Sequence, residues 1–234
     1  MKQNETLPRI ARYLMLHTSH LDNIGLLEGK MGIVIFFSHY SVYANRKTYK
    51  LFAEELLDEI YKEIHGSIPY YFNNGLSGIA WGVEYLVRNN FTRGDTNFVL
   101  EELDKKILEW DVRYMKDCSL EKGLKGLAYY IISRCSHNAD RKIPDSYIKD
   151  VILSFRLNSS TKGNNNRIIE KLTAILDHNT VDFDAGFLHG IISNTKIPRG
   201  NIFTNKRSLG LLNGGYAGIG LKIMYDDETK SIYS

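Results

Sequence analysis

The sequence predicts an all-α protein, an α/α toroid of about five helix-pair repeats, and three observations carry that expectation. A Gly-x-x-Gly step followed by an aliphatic residue recurs along the chain. Between its copies lie longer stretches with apolar residues three and four apart, the period of a helix face. Strand-like alternation bounded by turn dipeptides is scarce, and only 4 prolines interrupt 234 residues.

The copies can be taken in order. LLEGKMGIVIFF places the two glycines at Gly29 and Gly32, and FNNGLSGIAWGVEYL places them at Gly75 and Gly78. LEKGLKGLAYYII has Gly123 and Gly126, and LLNGGYAGIGLKIMY has Gly215 and Gly218. The first three leading glycines lie 46 and 48 residues apart, and the last lies 92 beyond the third, two further periods. An imperfect copy, DAGFLHGIISN, is read with Gly190 as its first glycine and Ser193 in place of the second. Each copy predicts a short apolar helix, followed by a longer amphipathic one. RKTYKLFAEELLDEIYKEI lines up Leu51, Phe52, Leu56, Leu57, Ile60, Tyr61 and Ile64 on one face. TNFVLEELDKKILEWDVRYM does the same with Phe98, Val99, Leu103, Ile107, Leu108 and Trp110. PDSYIKDVILSFRL and NRIIEKLTAILDH complete the series, while GSIPY and TKGNNN read as loops. Residues 1–234 are expected to form a single domain, whether the ring closes or stays an open arc.

Glycine inside a helix costs about 1 kcal/mol relative to alanine, so the repeated pairs need a reason. Helix starts that crowd around one axis supply it, because the missing Cβ lets backbones approach. Free N–H groups at those starts would also suit an anion or an acidic side chain. A tight turn at each helix start is the simpler reading.

Composition narrows the function classes. Hydrophobic residues are 43% and charged residues 24%, both ordinary for a globular domain. The net charge of +3 comes from scattered lysines and arginines without a like-charge run, so no nucleic-acid partner is expected. Two cysteines, Cys118 and Cys135, make no disulfide framework and suit a reducing, cytoplasmic location. The first twenty residues lack an apolar core, so no signal peptide is expected, and MGIVIFF is too short to span a bilayer.

The ordered copies resemble the lanthionine synthetase C-like (LanC-like) family over about residues 20 to 225. GLLEGKMGIVIFFSHYS, NNGLSGIAWGVEYL and GLKGLAYYII are similar to its inner-helix repeats, GFLHGIISN to its histidine-bearing repeat, and LGLLNGGYAGIGLKIMY to its closing repeat. The resemblance implies an α/α toroid whose inner helices form a barrel with the glycine-rich turns around one mouth. Active members add a zinc-bound cysteine thiolate of a peptide to a dehydroalanine or dehydrobutyrine, forming a thioether. The family's zinc is held by a cysteine in a Trp-Cys-x-Gly segment and by a Cys-His pair, and this chain has neither motif. It therefore reads as a short member without the metal-bearing part, with no cofactor of its own.

The resemblance also places candidate site residues. His189 matches the family's active-site histidine and is the candidate acid or base, with Asp182 and Asp184 to orient its ring. A histidine capping a turn is the alternative. The mouth is assigned to Glu28, Gly29, Gly75, Gly123, Gly190, Gly215 and Tyr216. Glu28 and Glu121 each stand just before a Gly-x-x-Gly and are expected to cap that helix start. Glu28 with Asp182 or Asp184 would instead be a carboxylate pair of a carbohydrate-active α/α barrel. Cys118 and Cys135 read as small buried hydrophobes, with a substitute metal set drawn from them, His137 and His189 as the alternative. Tyr70, Tyr71, Phe72, Trp81 and Tyr216 read as core filling rather than a ligand platform. The expected partner is a peptide substrate or a partner protein. The expected function is in ribosomal peptide modification without zinc-dependent cyclisation, the alternative being a non-catalytic binding scaffold.

Overall fold

A computed structural model describes residues 3–136, 143–158, 165–183, 186–198, 202–204 and 207–233. Its helices in chain order are α1 (Gln3–His17), α2 (Lys30–Tyr43), α3 (Lys47–Glu63), α4 (Leu76–Arg88), α5 (Thr96–Val99), α6 (Glu101–Leu108), α7 (Leu124–Cys135), α8 (Asp145–Leu157), α9 (Asn165–Leu176), α10 (Gly186–Ser193) and α11 (Tyr216–Tyr233). Among the described residues there is no strand, so the all-α expectation holds. The chain divides into two compact units. The first is Met1–Gly66 with Ala185–Ser234, and the second is Ser67–Asp184.

In the first unit α2 is the central element. Ten of its residues are buried on every side, including Ile33, Val34, Phe36 and Phe37. A helix that is apolar all round belongs inside a core. Its amphipathic partner α3 buries only Ala53, Leu56 and Ile60. Helix α11 packs on α2, α1 and α10. Gly220 of α11 lies so close to Phe36 that a Cβ would collide with its ring. The first and last glycine repeats are therefore neighbours within one unit, although they are far apart in sequence.

The second unit repeats the scheme. Helix α4 buries eleven residues from Leu76 to Leu86 and packs on α7, which is buried from Leu124 to Cys135 apart from Lys125 and Tyr129. The stretch expected as one long amphipathic helix after α4 is shorter. It breaks into α5 and α6, with a 3-10 turn (Val112–Tyr114) beyond. The side chain of Asp95 accepts the Asn97 N–H, and that of Asp111 accepts the Arg113 N–H, so each aspartate starts a new short helix. The third interval carries the two expected amphipathic helices, α8 and α9.

Candidate functional site

The glycine pairs build one backbone device four times. The first helical amide donates to a carbonyl seven residues upstream: Lys30 to Asn23 at 2.8 Å, Leu76 to Pro69 at 2.8 Å, and Leu124 to Asp117 at 2.9 Å. The second amide does the same in two copies, Met31 to Ile24 and Ser77 to Tyr70, both at 3.3 Å. The N-cap residues Gly29, Gly75 and Gly123 are extended, with φ of −116°, −138° and −112°. Any residue adopts that backbone, so glycine is required by space. A Cβ would strike the carbonyl oxygens of Asn23, Pro69 and Asp117, the same oxygens that cap the helices. The second glycines obey the same rule, since Cβ atoms on Gly32 and Gly126 would strike the oxygens of Leu26 and Leu120. In the last copy Tyr216 reaches eight residues back, to Ser208, at 3.0 Å. The extra residue is absorbed at Asn213 and Gly214, whose φ values are +56° and +68°.

This corrects one expectation. The leading amides are not free for an anion, because loop carbonyls take them. The helix-start amides themselves go to those loop carbonyls, and the N-caps Gly29 and Gly123 have no side chain to add. What Glu121 contributes is its carbonyl, which accepts the Asn73 N–H at 2.9 Å and so joins two loops of the second unit. The matching carbonyl of the first unit, Leu27, accepts the N–H groups of Leu211 at 2.7 Å and Leu212 at 3.1 Å.

The candidate residues divide between two loop pairs. In the first unit Glu28, Gly29, Gly215 and Tyr216 gather on the paired loops 23–29 and 208–215, and Gly210 lies against the Glu28 backbone. Beside them is a residue that the sequence reading missed. Lys30 is 4% exposed and pairs with Glu63 at 2.6 Å and Glu59 at 3.4 Å. Burial pulls its pKa down, but the two glutamates outweigh burial and hold it above the usual lysine value. Tyr216 is fully buried. Its hydroxyl accepts the Thr204 N–H at 2.9 Å and faces the carbonyls of Thr204 and Ile202 at 3.2 and 3.4 Å.

His189 sits elsewhere in the same unit. Its ring meets the Tyr225 ring edge-on, with centroids 5.7 Å apart, and the opposite neighbour of Tyr225 is His39 at 5.6 Å. Tyr225 is nine residues into α11, about 14 Å along the axis from the glycine loop at 1.5 Å per residue. The repeat register also changes. Helix α10 spans Gly186–Ser193, so Gly190 lies inside the helix and not at its N-cap, where Gly29, Gly75 and Gly123 stand. Gly190 is an exposed interior position where a Cβ would meet nothing within 4 Å.

In the second unit Gly75 and Gly123 lie on the paired loops 69–75 and 117–123. Trp110, 48% exposed, contacts Tyr70 at 4.2 Å, Tyr70 contacts Tyr71 at 4.9 Å, and the Lys122 ammonium lies 5.6 Å from the Tyr71 ring. Tyr70, Phe72 and Trp81 are buried, as core filling requires. Asp182 is exposed, whereas Asp184 and His137 lie outside the described residues. Cys135 ends α7 in a buried place, and Cys118 is half-buried, its thiol pushed up first by burial and then by Asp117. Such a thiol is not primed as a thiolate ligand. Among the described residues no three His, Cys, Asp or Glu side chains come together to hold a metal. A catalytic zinc needs three protein donors, so these residues do not fit one.

Away from the loops lies the strongest electrostatic feature, also missed from sequence. Arg134 of α7 is 1% exposed and pairs with Asp104 at 2.7 Å and, through a short contact, with Glu84. Arg88 holds the other Glu84 oxygen at 3.1 Å and donates to the carbonyls of Ser133 and Ser136. The Tyr130 hydroxyl donates to Asp104 at 2.5 Å. The two arginines balance the two acids, so the group is neutral and satisfied and ties α4, α6 and α7 together. Charges inside otherwise apolar inner helices were the available signal.

Glycine-started helices buried on all sides, joined to amphipathic partners, define the class: an all-α protein of helix-pair repeats, as in an α/α toroid. The family model of lanthionine synthetase C-like protein matches residues 20–195, and the chain belongs to that family. Neither the characterised proteins nor the solved structures gave a match to this chain. No helix among the described residues is long and apolar enough to cross a membrane.

Proposed function

We propose that this chain is a LanC-like protein of ribosomal peptide modification that holds a peptide or partner protein without cyclising it through a zinc of its own. One observation carries the reading: the chain belongs to the family and builds the glycine-started helices α2, α4, α7 and α11, while the described residues gather no three-donor metal set. Cyclisation in the family uses zinc to bind and deprotonate the substrate thiol, and that task has no three-donor holder among the described residues. What the chain's residues offer is a binding surface. Glu28 and the loop backbone of residues 23–29 and 208–215 present polar groups in the first unit, and Trp110, Tyr71 and Lys122 present an aromatic and basic edge in the second. His189, with its exposed ring, is the proposed acid–base group for any residual proton transfer, and Asp182 and Asp184 are its proposed orienting partners. A cytoplasmic location without nucleic-acid partners completes the proposal.

Incubation with a dehydrated, cysteine-containing peptide, with and without added zinc, tests it. The expected result is saturable peptide binding and no metal-dependent thioether. Zinc at one equivalent in the purified protein, together with zinc-dependent thioether formation, would overturn it.

A further inference from the structure

We propose that Arg9, Tyr13 and Tyr216, with Arg207 at the edge, form a recognition box for a peptide segment in which an aromatic side chain follows an aliphatic one, and that the chain's own Ile202-Phe203-Thr204 fills it. The proposal rests on reading the protein as a peptide holder and gives that function a site and a side-chain preference.

The geometry is that of a ligand in a box. The Phe203 ring stacks on Tyr216 with centroids 5.6 Å apart and planes at 18°, and is tilted against Tyr13 at 5.6 Å. The Arg9 guanidinium closes a third side, 4.6 Å from the ring centre. Tyr13 and Tyr216 also face each other at 4.5 Å, so the two walls hold one another in place. An aromatic ring packed against a pair of touching tyrosines and beneath a guanidinium gains stacking and cation–π attraction that an aliphatic side chain does not. The preceding Ile202 is 4% exposed.

The backbone of the segment is read by side chains. Residues 202–204 belong to no helix or strand. The Tyr216 hydroxyl takes the Thr204 N–H at 2.9 Å, and the Arg207 Nε donates to the Ile202 carbonyl at 3.2 Å. Arg207 also anchors the glycine loop, donating from Nη1 to the Gly214 carbonyl at 2.6 Å. Side-chain anchors combined with groups that bond the main chain are how proteins recognise extended peptides. Every member of the box and its occupant lies outside the residues 20–195 that the family model matches.

Acetyl-Ile-Phe-Thr-amide added to the Phe203→Ala variant is the test, read by NMR titration. The variant, whose box is empty, is expected to bind this probe at least ten-fold tighter than the wild type. The wild type is blocked by a tethered segment whose effective concentration is of the order of millimolar. Acetyl-Ile-Ala-Thr-amide should bind neither. A folded Phe203→Ala protein that takes up neither probe overturns the proposal. Should that variant fail to fold, Tyr216→Phe keeps the ring and deletes the hydroxyl; Thr204 amide exchange at least ten-fold faster than in the wild type is expected, and unchanged exchange overturns the proposal. The outcome is separable from the peptide-modification reading. Equal binding of a dehydrated precursor by wild type and Phe203→Ala, with no uptake of the tripeptide, keeps the function and removes the box. Tripeptide uptake without precursor binding does the reverse.

Discussion

The two units use the same backbone loop but secure their helices differently. In each, a carbonyl two residues before a leading glycine, Leu27 or Glu121, receives the neighbouring loop. In the first unit the charged anchor, Lys30, stands at the glycine end of α2, and its glutamates keep 48% and 40% of their side-chain surface exposed. In the second, Arg134, Glu84 and Asp104 are sealed inside, each with no more than 4% of its side chain exposed. A carboxylate that can return to water loses little when its partner goes, whereas one that cannot keeps an uncompensated charge. The repeated element is thus the loop, and each unit's sensitivity is set by how its ions are desolvated.

The sharpest break of this comparison is Arg134→Met. It leaves Glu84 and Asp104 buried without their central cation, and a loss of about 3–5 kcal/mol is expected from urea denaturation. Next is Gly75→Ala, where a Cβ collides with the Pro69 carbonyl and the loop must shift; overpacking of this kind costs about 1–3 kcal/mol. Its counterpart Gly190→Ala has open space at an interior helix position and should raise stability by up to about 1 kcal/mol in the same assay. Lys30→Met should change stability by no more than about 1 kcal/mol, because Glu59 and Glu63 re-enter solvent. Lys30's own charge is present at neutral pH, and the stability it contributes is lost in alkali, as the pH climbs through its raised pKa.

A separate test, of slope and not of size, is the acid dependence of the first unit. Burial lowers the His39 pKa to about 4. An unfolded histidine takes a proton near pH 6.5, so between about 6.5 and 4 the unfolded chain binds more protons. Stability therefore falls as the pH drops through that window. The thermal midpoint of His39→Leu should show a shallower acid decline than the wild type, and an identical decline would remove His39 as the cause.

The sequence carried the helix class well. Glycines at a near-constant interval and apolar runs without proline told which segments become α2, α4, α7 and α11, since buried helices advertise themselves by being apolar all round. It carried the breaks less well. Asp111, which starts the 3-10 turn, sits inside a continuous apolar rhythm, and rhythm alone does not show which aspartate side chain captures an amide. The histidine-bearing copy departs from the others, because Gly190 lies inside α10 and not at its start, and only the extent of that helix shows it. Arg134, Glu84 and Asp104 are 50 and 30 residues apart in their pairings, and no local pattern links them.

By itself, then, the sequence determined which segments are helical and where side chains had to be absent, because both are local matters of apolar period and Cβ volume. Tertiary structure alone decided that the glycines make room for the loop's own capping carbonyls, that the helix-start amides are spent there, and that Phe203 packs against both Tyr13 and Tyr216. Those facts depend on which distant atoms meet after the chain folds back, and collisions and hydrogen bonds of that kind leave no period in the sequence.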